Sequence, residues 1–456
     1  MQTSTSILSN FRILFGLMMA LSVIRFWGHG WIETQYIEPV YYFSYFDWII
    51  HPGSTGIYLL FGLVFISAIG IMLGCFYRMS AVLFFLSFTY IELLDKTNYL
   101  NHYYFVSLVS FLLIFLPAHR SFSIDVIRKP ALYLRQIPSW TVNLLKFQLA
   151  LVYVFAGLAK LNPDWLFRAM PLKLWLPAQS HVPIIGSLLN YEITAYIFSW
   201  CGAFYDLFIV FFLLYRPTRM MAYAAVVVFH VATAMLFQIG IFPYVMIFST
   251  LIFFSAEAHD RVQIRIKKSI NYPVPSADHF VKNQLPTLPL FFSWSKIRPF
   301  VLIFVVIQLF LPLRFLAYPG HLFWTEQGYR FSWRVMLMEK AGYATFTVTD
   351  KNGTQKEWVN NRDYLSIQQE KMMSTQPDMI LQFAHHLADI YKKKGYENPI
   401  VKGKSLVTLN GVSSQPLIDP TVNLAAQPVN WKNKSWVLPF NPTHQQEIQN
   451  TKKVTR

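Results

Sequence analysis

Nine runs of apolar residues, separated by shorter polar stretches, follow one another along the chain as far as Leu316. A helix that crosses the hydrocarbon core of a bilayer needs about 20 residues, or about 17 if flanking side chains reach the surface. Several runs are shorter, so we expect their polar flanks to continue the helices. The pattern predicts an all-α membrane bundle of about nine transmembrane helices over residues 1–318. The runs are Phe11–Trp27, Ser54–Phe76, Ala81–Leu94, Tyr103–Leu116, Leu144–Leu161, Ile193–Leu214, Met220–Phe237, Ile241–Ser255 and Phe300–Leu316.

The pattern changes after Pro319, where short segments replace the long apolar runs. Residues 344–349 alternate with period two, a turn follows at 351–353, and residues 357–359 predict the partner strand of a hairpin. Residues 367–394 have the spacing of a helix with one apolar face, and residues 406–409 predict a further strand. We therefore expect an extramembrane α+β domain over 319–440 and a flexible basic tail over 441–456.

The composition supports a membrane protein. Hydrophobic residues make up 54% of the chain and charged residues only 14%, whereas soluble domains carry about 25% charged residues. The formal net charge is +16, but no basic cluster is interleaved with aromatic residues, which argues against nucleic acid as a partner. Cys75 and Cys201 lie in or beside apolar runs, so neither a disulfide framework nor a thiolate zinc site is expected.

The distribution of basic residues predicts the orientation in the membrane. The N-terminal segment and the even-numbered connections hold about three times as many Lys and Arg residues as the odd-numbered ones, which places them in the cytoplasm. Nine spans then put the C-terminal domain outside a bacterial plasma membrane, or in the lumen of the endoplasmic reticulum of a eukaryote. Eight spans would put it inside.

Polar residues at membrane depth are candidates for function, because they are costly there. Lys160 ends a stretch of eleven nearly all-apolar residues in the outer half of the membrane. It is either an anchor that reaches the outer surface or a desolvated, neutral amine that acts as a general base. Asn101 and His102 directly precede run four and start the fourth predicted span on the same side, where an ordinary turn is the alternative. His230, in mid-span, is interpreted as a hydrogen-bond partner between helices.

Five segments carry a family resemblance, and they occur in order along nearly the whole chain. They are residues 73–80, 94–102, 156–165, 229–240 and 324–333. Together they resemble the vitamin K-dependent γ-glutamyl carboxylase family, in the form that bacterial relatives carry. No spacing in the chain matches a catalytic-triad elbow, a phosphate loop or a metal-ligand motif.

The resemblance implies a membrane enzyme that uses vitamin K hydroquinone, O2 and CO2, without a metal. Oxidation of the hydroquinone to its epoxide creates a strong base, which removes a γ-proton from a glutamate side chain so that the carbanion captures CO2. The partner is then a peptide or protein that contains glutamate, within a lipid membrane. The alternatives are a quinone epoxidase without carboxylation, or a transport or structural membrane protein that shares the fold.

The resemblance also assigns roles to residues. Lys160 deprotonates the hydroquinone, and Asn101 and His102 assist at the quinone. Lys173 is the closest match to the cation that contacts the glutamate carboxylate, although arginine is usual there and lysine lacks its bidentate fork. The residues that fall where the family walls the quinone are Phe237, Gln238 and Ile241.

Overall fold

A computed structural model of the chain describes residues 1–273, 294–353 and 355–443. Each of the nine apolar runs contains a helix, and an additional amphipathic helix follows the eighth run. Within the described part of residues 1–318, the helices of nine or more residues are α1 (Ser6–Gly28), α2 (Gly53–Leu73), α3 (Tyr77–Leu94), α4 (Asn101–Phe115), α5 (Ser139–Lys160), α6 (Glu192–Leu214), α7 (Arg219–Leu236), α8 (Phe242–Thr250), α9 (Ala256–Ser269) and α10 (Trp294–Phe310). Of the predicted tail, residues 444–456 lie outside the described residues.

The predicted count of nine membrane-spanning helices is not confirmed. Seven helices in the described part of the chain are long and apolar enough to cross a membrane, or up to eight if a bent pair counts as one span. The two short helices are α4, with 15 residues, and α8, which ends in a turn at Phe253 and bends by 110° into α9. At about 1.5 Å per residue they extend about 22 and 18 Å, less than the roughly 30 Å of a hydrocarbon core.

The end of the bundle that carries the N-terminus is closed by backbone contacts. Strand β1 (Gln2–Ser4) pairs antiparallel with β2 (Gln136–Pro138), which joins the N-terminus to the connection between α4 and α5. Arg12 of α1 is fully buried and donates hydrogen bonds to four backbone carbonyls. The acceptors and distances are Ile71 (2.6 Å), Met72 (2.7 Å), Phe122 (2.6 Å) and Ala118 (3.2 Å). One side chain therefore ties α1 to the end of α2 and to the segment after α4.

The C-terminal domain contains a four-stranded antiparallel sheet. Its strands are β3 (Lys340–Thr349), β4 (Lys356–Val359), β5 (Ile400–Leu409) and β6 (Val412–Pro416), in the order β4-β3-β5-β6. The predicted hairpin is confirmed, since Phe346 pairs with Val359 and Thr349 with Lys356. The strand predicted at 406–409 is the end of β5.

The prediction of a single helix over residues 367–394 is wrong in one respect. The structure has two helices, α11 (Ile367–Met373) and α12 (Pro377–Lys393). Pro377 has no backbone N–H and restricts the residue before it, so the first helix ends and a second one begins at the proline. The apolar face of α12 was predicted correctly, because Ile380, Phe383 and Leu387 are fully buried.

The domain packs on the end of the bundle opposite the N-terminus. Its core is continuous with apolar residues of the connection between α5 and α6, such as Trp165 and Leu172. Polar contacts cross the same boundary: Asn410 Nδ2 donates to Asp164 Oδ2 at 2.8 Å, and Gln369 Nε2 donates to Asp95 Oδ2 at 2.8 Å. The ends of α3 and α5 thus lie beneath the domain, together with the start of α4.

A three-charge cluster strengthens this contact. Arg330 donates to Asp378 Oδ2 at 2.6 Å, and Lys96 Nζ lies 3.8 Å from the same oxygen. Burial by itself would raise the pKa of the Asp378 carboxyl, but the charges of Arg330 and Lys96 outweigh it and hold the pKa below its usual value. Asp378 therefore stays ionised and links the domain to the connection between α3 and α4.

Candidate functional site

Helices α5 and α6 approach closely where α5 ends. A Cβ added at Gly157 would lie 2.6 Å from the backbone nitrogen of Leu207, so only glycine permits this separation. One turn further along, Lys160 is the last residue of α5, and its Nζ donates a hydrogen bond to Asp206 Oδ2 of α6. Both residues are only 6% exposed. The close packing at Gly157 thus brings a buried lysine against a buried carboxylate.

Trp165 covers the ammonium group of Lys160. The ring centroid lies 5.4 Å from Lys160 Nζ. The ring is held by α6, because Trp165 Nε1 donates to the Ser199 carbonyl at 2.8 Å. The turn that places it is capped by Asn162, whose side-chain oxygen accepts from the Trp165 backbone N–H at 3.0 Å. Hydrogen bonds at both ends therefore fix the indole over the amine.

Lys160 and Asp206 line a small cavity of about 90 Å³, which we call the lysine cavity. His230 of α7 also lines it and shares a hydrogen bond of 3.2 Å with the Tyr153 hydroxyl of α5. The predicted role of His230 between helices is confirmed. Its Nδ1 atom, however, is buried without a hydrogen-bond partner among the described residues. The spacing of His230 and Lys160 along the chain does not indicate that they share a cavity.

A second cavity of about 940 Å³, the outer cavity, lies between the bundle and the C-terminal domain and contains Asn101 and His102 in its lining. Asn101 Nδ2 donates to the Arg334 carbonyl at 2.7 Å, and its side-chain oxygen accepts from the Tyr99 hydroxyl at 3.0 Å. His102 is buried, and its Nε2 atom has no hydrogen-bond partner among the described residues. The imidazole therefore lies in the lining of the outer cavity with one ring nitrogen unpaired.

The two cavities share one wall. Its residues are Phe237, Ile239, Phe242, Val335 and Met336. Ligand sites for small molecules usually have about 300–1,000 Å³, so the outer cavity has the size of such a site and the lysine cavity does not. The structure therefore brings Asn101 and His102 together in one cavity, but Lys160 lies behind the wall.

The shared wall includes a residue with strained backbone torsion angles. Met336 has φ +53°, in the left-handed region that non-glycine residues rarely adopt. Glu326, Phe331 and Trp333 of the same segment also have positive φ. Strained backbone of this kind concentrates at ligand clamps and segments that move. The segment 326–336 thus differs from the regular helices that form the other walls.

The remaining predicted site residues are divided between the cavities and the surrounding protein. Phe237 lines both cavities, and Gln238 lines the outer cavity. Ile241 lines neither, because its side chain packs against the apolar core of the bundle, and Ile239 takes the place on the wall. Lys173 lines neither as well: its ammonium bonds to the Glu192 carboxylate and lies 3.1 Å from the Tyr196 hydroxyl.

The outer cavity has a positively charged lining. Lys96 and Arg330 share Asp378, whereas Arg25 and Arg334 contact no carboxylate among the described residues. Arg25 instead lies 4.6 Å from the Trp31 ring centroid, and Arg334 lies 4.3 Å from that of Phe315. An anionic group that entered this cavity could pair with either guanidinium.

Asp206, Arg25 and Arg334 lie in this region but were not predicted as site residues from the sequence. A signal for Asp206 was present, since it is the only acidic residue in the apolar run Ile193–Leu214. Arg334 follows one of the motifs but stands in irregular structure, where the sequence does not indicate what it faces. Within the described ranges, no group of three His, Cys, Asp or Glu residues could hold a metal ion.

Comparisons with known proteins match both parts of the chain to family models. A model of the HTTM domain matches residues 1–257, more than half of the chain. A model of the vitamin K-dependent gamma-carboxylase, lumenal domain, matches residues 295–443. No solved structure matches the chain. The first match covers the helices that carry Lys160, Asn101 and His102, and the second covers the domain that closes the outer cavity. The chain is thus a multi-pass membrane protein that belongs to the vitamin K-dependent γ-glutamyl carboxylase family.

Proposed function

We propose that this protein couples the oxidation of vitamin K hydroquinone by O2 to the γ-carboxylation of glutamate by CO2. One observation carries the proposal: the buried Lys160–Asp206 pair lies behind an apolar wall, which separates it from a large, positively lined cavity containing Asn101 and His102. A hydrophobic quinol needs such a site near lipid, and a strong base needs one that excludes water. Family membership supports the same chemistry.

The residues of the outer cavity fit a quinol. Phe237 and Phe242 offer aromatic faces, and the unpaired Nε2 of His102 offers a hydrogen bond to a ring oxygen. Gln238 lines the same cavity and provides an amide for a second oxygen. When bound, the hydroquinone would supply the four electrons that reduce O2, two with its hydroxyl hydrogens and two from the ring double bond that becomes the epoxide, so that one oxygen atom enters the epoxide and the other leaves as water. Asn101, held by Tyr99 and by the Arg334 carbonyl, keeps the start of α4 in place.

Lys160 and Asp206 are proposed to act as one proton-handling unit. A buried ammonium next to a buried carboxylate can pass its proton across the hydrogen bond, leaving an amine and a carboxylic acid that are both neutral. Neutral groups cost less than charged ones in a site without water. The amine can then accept a proton from a ring hydroxyl. For contact with a ring in the outer cavity, the wall residues Phe237, Phe242 and Met336 have to move aside.

The glutamate carboxylate is proposed to pair with Arg334 or Arg25. Both line the outer cavity and contact no carboxylate among the described residues. Arginine also supplies the bidentate fork that a carboxylate accepts. The role predicted for Lys173 is less well supported, because its ammonium is held by Glu192 outside the linings of both cavities.

We further propose that the N-terminus is cytoplasmic and the C-terminal domain lies outside. Reporter fusions after Lys129, Arg219 and Gly353 are expected to read inside, inside and outside. The pairing of β1 with β2 supports a common side for the N-terminus and the connection that contains Lys129. An inside signal at Gly353 would contradict the proposed orientation and leave an even number of crossings.

One incubation distinguishes the proposed activity from its alternatives. Purified protein receives vitamin K hydroquinone, labelled bicarbonate and a peptide that contains glutamate, in air. We expect both the epoxide and labelled peptide, and neither product without hydroquinone. Epoxide with an unlabelled peptide would leave a quinone epoxidase, whereas the absence of both products would favour a membrane protein that has kept the fold without the chemistry.

A further inference from the structure

A third cavity, of about 300 Å³, lies between α3, α4 and α10 on the side of the bundle that carries the C-terminal domain. We call it the α10 chamber. Its walls are largely aromatic and include Phe85 of α3, Phe111 of α4 and Phe304 of α10. Phe331 and Tyr99 close the end towards the domain, and Tyr99 also lines the outer cavity. The chamber thus borders the proposed site but contains none of its proton-handling residues.

Three polar atoms in the chamber lack hydrogen-bond partners among the described residues. They are the Tyr45 hydroxyl, Thr89 Oγ1 and Gln308 Oε1. Gln308 is only 3% exposed, and its amide nitrogen makes one long bond, 3.4 Å, to the Tyr104 hydroxyl. Buried polar groups in native proteins are nearly always paired, with water or a ligand if not with protein. Their convergence on one cavity indicates that something polar occupies it.

Glu92 adds a carboxyl group to the same chamber. It lies on the last turn of α3, one turn after Thr89, and both side chains line the chamber. Its carboxyl has no hydrogen-bond or ion-pair partner among the described residues. Ionisable groups at membrane depth mark functional sites by default. The chamber therefore offers hydroxyl donors on one hand and a carboxyl and an amide oxygen as acceptors on the other.

The lining restricts the class of ligand. It contains no lysine or arginine within the described residues, and Glu92 would repel a phosphate, which argues against a phospholipid head. Flat aromatic walls favour a planar ring. The chamber lies against α10, little of which is buried inside the protein, so the ligand arrives from lipid and needs an apolar tail. A ring that bears oxygen atoms on an apolar chain meets all three requirements.

We propose that the α10 chamber binds one prenylated quinol or quinone, as a second site beside the one in the outer cavity. Glu92 and Gln308 accept from or donate to one ring oxygen, and Tyr45 or Thr89 serves the other, while the tail extends past Phe304 into lipid. This inference rests on the proposed function for the identity of the ligand class, but its residues are separate. The chamber then holds a quinol next to the catalytic cavity, with Tyr99 between them.

The test counts bound quinone. Quinone-free protein in phosphatidylcholine nanodiscs is titrated with a tritium-labelled, prenylated naphthoquinone, and bound label per protein is measured at saturation. We expect two molecules for the wild type. The variant Thr89→Val/Gln308→Leu loses hydrogen bonds at nearly constant volume, so one site should weaken about tenfold or more. Gln148→Leu is the matched control, because Gln148 is a buried glutamine with unpaired side-chain atoms outside all these cavities, and it should keep two.

The outcomes separate the chamber from the proposed function. If Thr89→Val/Gln308→Leu bound as many quinone molecules as the wild type, the chamber proposal would be overturned. Saturable binding of dodecylamine in the chamber, in place of the quinone, would also overturn it. If the wild type bound one quinone molecule, and Thr89→Val/Gln308→Leu lost it while Phe237→Ala kept it, the chamber proposal would stand. That result would contradict a quinone site in the outer cavity. Thermal unfolding shows whether the chamber variant is folded. Without quinone, Thr89→Val/Gln308→Leu should unfold at or above the wild-type temperature, since it removes unpaired polar atoms. With quinone, it should gain less stabilisation than the wild type.

Discussion

The variant Lys160→Arg is expected to form almost no epoxide, although arginine keeps the positive charge and the length of the side chain. A guanidinium stays protonated in proteins, so it can pair with Asp206 but cannot accept a proton from a hydroxyl. Removing a general base costs about 10²–10⁴ in rate. Epoxide formation from vitamin K hydroquinone, measured in purified protein with quinone binding as a parallel measurement, gives the result directly.

The comparison with Lys160→Ala and with another lysine sharpens the test. Lys160→Ala should be as inactive as the arginine variant, and an added small amine could restore part of its activity by occupying the vacated space. Lys146→Arg, at the other end of α5, is the matched control and should keep activity. Near-normal turnover in Lys160→Arg would exclude the base role and leave Lys160 as an anchor at the membrane surface.

The second large effect concerns stability. Asp206→Leu leaves the Lys160 ammonium buried without its partner, and breaking a buried pair in this way costs about 3–5 kcal/mol of unfolding free energy. Replacing both groups, in Lys160→Met/Asp206→Leu, should recover most of that loss, because an apolar pair of similar volume needs no solvation. Both variants should be inactive, so stability and activity separate. Unfolding in nanodiscs, followed by tryptophan fluorescence, measures the difference.

An exposed pair in the same region serves as the control for this experiment. Glu192→Leu removes the carboxylate that holds Lys173, and Glu192 is largely accessible, so the expected change is at most about 1 kcal/mol. If Asp206→Leu were as stable as Glu192→Leu, the Lys160–Asp206 pair would not be the buried unit described above. If the double variant were as unstable as Asp206→Leu, the loss would come from packing of α6 and not from the unpaired ammonium.

The sequence predicted the helices of this protein better than the number of spans. Hydropathy locates apolar runs, and a helix occupies each of them. It does not reveal that α4 and α8 are too short to cross a membrane, or that both begin beside the outer cavity. The break before Pro377 was available from the sequence, because proline restricts the residue that precedes it.

Part of the candidate site was predicted from the sequence, but Asp206 and the arrangement of the two cavities were not. The sequence motifs contain Lys160, Asn101 and His102, and the distribution of Lys and Arg residues predicts that all three lie on the outer side of the membrane. The partner of Lys160 depends on how closely α5 approaches α6 at Gly157, which is a property of packing between helices. The wall between the two cavities comes partly from residues 335 and 336, which lie far along the chain in irregular structure. Hydrophobic periodicity carries no information about either feature.

The buried guanidinium of Arg12 has a consequence for how the chain is made. Its acceptors lie 59, 60, 106 and 110 residues later, so they emerge from the ribosome long after Arg12 does. Until then, α1 carries an unsatisfied cation, which is costly in lipid. We therefore expect α1 to reach its final depth only after α2, α4 and the segment that follows α4 have been made. The first span of this protein is thus fixed by the chain as far as Phe122, before the helices from Ser139 onwards are made.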